Sequence, residues 1–142
     1  MSEKSTTPDL VELVQRSVEA VNRRDVEEFV RFFGGDSVWD LSPMGLGTYE
    51  GSSAVRAFVE DWTGSYGEFE LVLEQVLDLG NEVVFAVVFQ RARLANSCAE
   101  VRMRYASVNS VARGLFERIT NYTDIDEARA AAERLVRERA DG

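Results

Sequence analysis

Two hydrophobic periods divide the chain. In the first 64 residues apolar side chains recur every three to four positions, as on the buried stripe of a helix. Leu10, Val14, Val18 and Val21 mark a first helix, with Thr7 as its cap and Pro8 at its first position; it ends near Asn22-Arg-Arg. Asp25, with Glu28 three residues on, opens a second, short helix whose buried side is Val26, Phe29, Val30 and Phe33, and Gly34-Gly35 stops it. A short strand follows at Ser37–Leu41. Ser52 or Ser53 then caps a third helix carrying Val55, Phe58, Val59 and Trp62.

From Gly67 the period is two. Phe69, Leu71, Leu73 and Leu77 alternate with Glu68, Glu70, Glu74 and Asp78, and Gly80-Asn81 signals a hairpin. The strand from Glu82 to Leu94 is apolar on both sides, with Val83, Phe85, Val87 and Phe89 on one and Val84, Ala86 and Val88 on the other, so both faces are expected to be covered. Asn96-Ser97 turns into a strand from Cys98 to Val111. Arg113-Gly114 turns into the last strand, Leu115–Tyr122, and Asp124 or Asp126 caps a final helix to about Arg139. That helix, rich in Arg and Glu, reads as a solvated, salt-bridged surface. Helices first and an antiparallel meander second describe an α+β layer. The expected organisation is a flexible leader over residues 1–7 and a single domain over residues 8–139.

Composition narrows the chemistry. The chain has 142 residues and a formal charge of −9, which argues against general nucleic-acid binding. No apolar run approaches a membrane span, and the polar N-terminus lacks a signal-peptide core, so the expected compartment is the cytoplasm. There is no histidine, which excludes a Ser-His-Asp triad, a Cys-His pair and imidazole metal ligation. The single cysteine, Cys98, reads as a small packing residue, and the only lysine is Lys4. No metal or cofactor is expected, and acid–base work falls to carboxylates and tyrosines. Asp40, at the end of the short strand and before a Pro/Gly-rich loop, is the leading candidate. It is either a proton-transfer base or a cap on the loop backbone from Ser42 to Gly45.

The order of elements resembles the nuclear-transport-factor-2-like (ketosteroid-isomerase-like) superfamily, and within it the SnoaL-like domains, over roughly Leu10 to Leu135. The residues that carry the resemblance are Asn22-Arg-Arg-Asp25, Val38-Trp-Asp40, Gly47-Thr-Tyr-Glu-Gly51-Ser52 with Val55-Arg-Ala-Phe58, the strand Val101–Val108, Arg113-Gly114, and Tyr122-Thr-Asp124 with Glu127-Ala128. The resemblance implies a cone-shaped, curved antiparallel sheet with three N-terminal helices packed on its concave side and a C-terminal helix. It also implies a ligand pocket in the cone and a homodimer through the outer sheet face. An exposed sheet face carrying Val and Ala would otherwise leave a sizeable apolar patch.

In ketosteroid-isomerase-like members the position of Asp40 holds the proton-shuttling carboxylate. Their oxyanion donors would fall at Ser17 and near Tyr105 or Ala106, so the donor pair is not reproduced and steroid isomerisation is not expected. In limonene-epoxide-hydrolase-like members an Asp–Arg–Asp set would fall at Arg93, Arg91 and Asn121, and both carboxylates are absent. Arg91 and Arg93 are then ligand contacts, or solvated residues paired with acids such as Glu100. The aromatic residues Trp39, Tyr49, Phe58, Trp62, Tyr105 and Tyr122 are core packing or a pocket wall. In a regular strand Trp39 and Asp40 face opposite ways, so one cavity cannot hold both.

The expectation is a domain that binds a small, largely apolar organic molecule. If catalytic, it would be a cofactor-independent isomerase- or cyclase-type enzyme acting on a carbonyl-bearing substrate, with Asp40 as base and Tyr49, Phe58, Trp62, Phe89, Arg91, Tyr105 and Asn121 around the ligand. The alternative is a non-catalytic ligand-binding or dimerisation module.

Overall fold

A computed structural model describes residues 9–141. The expected leader, and Thr7 and Pro8 with it, lie outside the described residues. The elements are α1 (Leu10–Asn22), α2 (Val26–Val30), β1 (Phe33–Asp40), a 3-10 turn (Ser42–Met44), β2 (Thr48–Glu50), α3 (Gly51–Gly64), β3 (Tyr66–Gly80), β4 (Val83–Leu94), β5 (Glu100–Ala112), β6 (Leu115–Tyr122) and α4 (Ile125–Asp141). The six strands form one sheet in the order β2-β1-β6-β5-β4-β3.

The sheet is mixed, which corrects the expectation of a wholly antiparallel one: β1 runs parallel to β6, and every other pairing is antiparallel. The strand β1 also starts earlier than expected. Gly34-Gly35, read as a helix stop, lies inside it, at an irregularity where the register with β6 shifts between Phe33 and Val38. Ser37 fastens this stretch. Its hydroxyl accepts from the Gly34 amide and donates to the carbonyl of Phe116 at 2.6 Å. Alternating apolar positions are scarce over Phe33–Ser37, so the pattern could not reveal the strand.

Turn chemistry sets the meander. Asn81 and Glu82 both have positive φ, 55° and 63°, as do Arg113 and Gly114 at 57° and 79°. Positive φ at both central residues matches the twist of a two-residue hairpin. The α1–α2 corner uses the same device, with Arg24 at φ 58°.

The segment Asn22–Asp25 holds the first corner together. The Asn22 carboxamide accepts from the Leu71 amide at 2.7 Å and donates to the Leu71 carbonyl at 2.9 Å, completing the backbone of the edge strand β3. The Arg24 guanidinium donates to the carbonyls of Thr63, Tyr66 and Gly67. Asp25 caps α2 through the Glu28 amide. At the first helix the cap is Asp9, which accepts from the amides of Val11 and Glu12, in place of Thr7. The helix α3 has no side-chain cap, contrary to the reading of Ser52 or Ser53.

Two apolar clusters lie on either side of the sheet. Inside the curve α1, α2 and α3 pack on Val84, Ala86, Val88, Trp39, Ile119 and Phe116. Outside it α4 lays Ala128 and Ala132, both fully buried, against Val83, Phe85, Val87, Ala106 and Val108. The last helix is therefore a cover for the sheet as well as a charged surface. Its Arg139 reaches the carbonyls of Asn81 and Val111 and the carboxylate of Glu117, tying down both hairpin ends. The Val and Ala face of β4 on which the expectation of a sheet-mediated homodimer rested, Val84, Ala86 and Val88, is the inner one, and the outer positions Val83, Phe85 and Val87 are covered by α4. Among the described residues no helix is long and apolar enough to cross a membrane.

The Asn22 clamp supplies one measurable consequence. Asn22→Ala leaves the Leu71 amide and carbonyl without their partners in a partly buried setting, a loss of about 2 kcal/mol of folding stability. Urea denaturation checks this; a loss below about 0.5 kcal/mol would mean that solvent replaces the clamp.

Candidate functional site

The site is decided at the end of β1. Strand alternation turns Trp39 inward and Asp40 outward. Trp39 sits at the centre of an aromatic cluster, 5.7 Å from Phe29, 5.3 Å from Phe58 and 6.2 Å from Trp62 between ring centroids. Its indole Nε1 donates to Asn121 Oδ1 at 3.3 Å.

Around Trp39 lie two small interior cavities. One, about 50 Å³, is walled by Val14, Val18, Val21, Phe29, Leu71 and Ile119, with the polar side chains Ser17, Ser107 and Asn109. The second, about 40 Å³, lies nearer the loop after β1 and is walled by Leu41, Met44, Leu46, Phe58, Gln90 and Met103. Trp39, Trp62, Tyr105 and Asn121 line both, so these four side chains form the partition between them. Each cavity holds a few waters at most. Pockets for drug-sized ligands run to roughly 300 Å³ or more.

The lining is uncharged. Its polar groups are hydroxyls, carboxamides and an indole N–H. Burial pushes the Tyr105 phenol up from its ordinary value, so it stays protonated and keeps its hydrogen as a donor. Some of the polar groups are already used. The Ser17 hydroxyl donates to the Val14 carbonyl, and Asn109 Nδ2 donates to the Val84 carbonyl and to Ser107 Oγ. The Tyr105 hydroxyl and Asn121 Nδ2 make no hydrogen bond to another described residue, and Gln90 Oε1 is buried without a partner. Among the described residues no group of three His, Cys, Asp or Glu side chains is placed to hold a metal ion.

Of the residues read from the sequence, Phe58, Trp62, Tyr105 and Asn121 meet at these cavities. The others do not. Asp40 lines neither one. Its Oδ1 accepts from the amide and hydroxyl of Ser42, at 2.9 and 2.6 Å, and from Thr48 Oγ1 at 3.0 Å, and its Oδ2 pairs with Arg118 at 2.8 Å. Partial burial alone would raise the Asp40 carboxyl. The hydrogen bonds from Ser42, Thr48 and Arg118 outweigh it and hold the pKa below the usual aspartate range. A base turned away from the cavity and stabilised as its anion is poorly placed and poorly tuned to take a proton there.

The position of Asp40 has another consequence. Ser42 opens the loop from Leu41 to Gly47 and Thr48 follows it, so one carboxylate grips both ends. The loop closes on itself through Leu41 N–H to the Gly47 carbonyl at 2.7 Å and Leu46 N–H to the Leu41 carbonyl at 3.1 Å. Met44 and Leu46 from this loop form the outer wall of the second cavity. Tyr49 braces it: the hydroxyl donates to the Leu46 carbonyl at 2.9 Å, and the ring packs on Phe58 at 4.6 Å. The motif Gly47–Ser52 thus shapes a cover over the cone, and Tyr49 is not part of the cavity lining.

Phe89 and Arg91 also lie elsewhere. Both share the outer face of β4, opposite Val88 and Gln90. Phe89 lies under the Arg104 guanidinium, 5.2 Å from its ring centroid. Arg91 pairs with Glu70 at 2.8 Å and Arg93 with Glu68 at 3.2 Å, both exposed and both across the β3–β4 ladder in place of Glu100. Cys98 is exposed, not a packing residue.

Sequence reasoning missed Gln90, Ser107 and Asn109. The signal was present. Gln90 is in phase with Val84, Ala86 and Val88, and Ser107 and Asn109 are in phase with Tyr105, so each is a polar side chain on an inward, buried face.

A curved sheet with helices in its hollow, closed by a loop after the first strand, matches known proteins. The SnoaL-like domain family model matches residues 14–120. The chain belongs to the SnoaL-like domain family. No curated protein matches it in sequence. Among solved structures, one named for a SnoaL-like polyketide cyclase from Shewanella denitrificans is 13% identical, with a TM-score of 0.73 over 90% of this chain and 98% of that one. An NTF2-like protein of Burkholderia pseudomallei is 23% identical, with a TM-score of 0.71 over 85% of this chain and 95% of that one. A Mycobacterium tuberculosis protein in complex with estradiol-17β-hemisuccinate is 17% identical, with a TM-score of 0.71 over 82% of this chain and 95% of that one. At these identities the likeness concerns the fold alone.

Asp40 yields a prediction with a defined sign. Its folded pKa is lowered, so its stabilisation is full above the unfolded value of about 4 and is lost as pH falls through the folded value. Asp40→Asn should melt lower than the unmodified chain at pH 7, by about 1–2 kcal/mol of stability, and the gap should close on acidification toward pH about 2. Melting followed by circular dichroism across this range decides it; a gap independent of pH would remove the charge from the explanation.

Proposed function

We propose that this SnoaL-like domain binds a small, neutral, largely apolar organic molecule in the hollow between the helices and the sheet, and that Tyr105 and Asn121 hold its carbonyl oxygen. The observation that carries the reading is the composition of the interior. Two tryptophans, Phe58 and aliphatic side chains surround the Tyr105 hydroxyl and Asn121 Nδ2, two donors that no described residue uses. Apolar walls with a few convergent polar groups are what a small-molecule site needs. The steroid body of the estradiol derivative in the Mycobacterium tuberculosis relative supports a largely apolar ligand, although its hemisuccinate carries a carboxylate.

Binding is favoured over proton transfer. Two donors can polarise a carbonyl, but isomerisation or cyclisation also needs a base at the adjacent carbon. The cavity lining contains no carboxylate, and Asp40 is committed to the loop. The present volumes fit a ligand only when side chains of the partition or the cover move. The cover loop, gripped at its ends and built on Met44 and Leu46, is the natural point of entry.

Both tryptophans of the chain line the cavities, so their fluorescence reports occupancy. Acetophenone, an apolar ketone, should quench it saturably. Tyr105→Phe should weaken that binding about tenfold, the value of one hydrogen bond of about 1.4 kcal/mol. Quenching that rises linearly without saturation, or a Tyr105→Phe variant that binds equally well, would count against the proposal.

A further inference from the structure

One buried group has no account in the fold. Gln90 is 1% exposed, and its Oε1 has no hydrogen-bond partner among the described residues. It lies on the inward face of β4, next in phase after Val84, Ala86 and Val88, opposite Met103 of β5 and Leu71 of β3. Burying a carboxamide oxygen without a donor is costly, more so than burying an apolar side chain of the same shape. Leu or Met would fill this position without that cost, and the neighbouring positions on the same face are indeed Val and Ala. The side chain is also one of the walls of the cavity under the cover loop, among Leu41, Met44, Leu46, Phe58 and Met103. Gln90 is a polar wall of that cavity, as are Tyr105 and Asn121.

We infer that Gln90 is a specificity residue that accepts a hydrogen bond from a hydroxyl of the bound molecule. This rests on the ligand-binding reading of the cone and goes beyond it by naming a second functional group. The ligand carries a donor as well as an acceptor: a hydroxyl toward Gln90 and an oxygen toward Tyr105 and Asn121. Its apolar body lies against Met44, Leu46 and Phe58. Methionine and leucine walls adapt to an apolar body of varied shape, so the discrimination falls on the polar end. A site built to pair a hydroxyl rejects an analogue that lacks it, because the buried acceptor is then left alone.

Phenol and toluene have nearly the same shape and differ in that one group, so they serve as probes. Each is titrated calorimetrically into the full chain and into Gln90→Met, which keeps the length of the side chain, with Gln90→Leu as a second variant should the first fail to fold. The quantity read is the ratio of phenol to toluene affinity, which cancels changes in cavity shape. We expect this ratio to fall about tenfold in the variant, while its melting temperature rises by about 3 °C because the orphan acceptor is gone. An unchanged ratio overturns the inference and leaves the ligand-binding cone standing; it is also the result expected if a resident water already serves Oε1. Failure of both probes to bind the unmodified chain overturns the inference together with the reading on which it rests.

Discussion

A single alternation governs this protein. At the end of β1, consecutive residues point to opposite faces, so Trp39 enters the hollow of the sheet and Asp40 leaves it. The pairing of β1 with both β2 and β6 fixes that register, since Trp39 lies opposite Tyr49 on one side and Ile119 on the other. A slip of one residue would bury the carboxylate and expose the indole. The aromatic centre of the hollow and the electrostatic grip on the cover loop both follow from this one choice.

The two halves of the outcome depend on each other. The hollow is apolar because helices α1, α2 and α3 fill most of it, leaving space beside Trp39, Trp62, Tyr105 and Asn121. The loop stays over that space because Asp40, held as its anion by Ser42, Thr48 and Arg118, ties its two ends. The Asp40 charge is thus kept out of the cavities and organises backbone, and neutral hydrogen-bonding groups line them. In a low-dielectric interior an unpaired carboxylate would be far more costly than a tyrosine or a carboxamide.

The period of two from Gly67 onward and the turn residues at Gly80-Asn81 and Arg113-Gly114 made the meander legible, and the α1 and α3 stripes made the inner helices legible. The parallel β1–β6 pairing was not, because Phe33–Ser37 carries two glycines and no alternation, and its partner lies some eighty residues away in the chain. The role of α4 was hidden in another way. Its charged residues dominate the sequence, while the buried contacts are made by Ala128 and Ala132, which carry little hydrophobic signal. At the site, Phe58, Trp62 and Tyr105 could be picked out as aromatic residues, and Asn121 only through the resemblance to limonene-epoxide-hydrolase-like members. The alternation along β4 separates Phe89 from Val88, but both faces are apolar, so the pattern could not show that the Val84, Ala86 and Val88 face turns inward and that Phe89 and Arg91 lie outside. Asp40 drew attention as a lone carboxylate beside a loop, and only its partners distinguish a grip from a base.

The central claim is that the interior beside Trp39 is an uncharged ligand site and that Asp40 stands outside it. A crystal structure of the protein soaked with acetophenone tests this most directly. The account predicts electron density for the ketone between Trp39, Trp62 and Tyr105, with its oxygen within hydrogen-bonding distance of Tyr105 or Asn121 and the Asp40–Arg118 pair intact. Density for the ketone against the Asp40 carboxylate, with that side chain turned into the hollow, would contradict it.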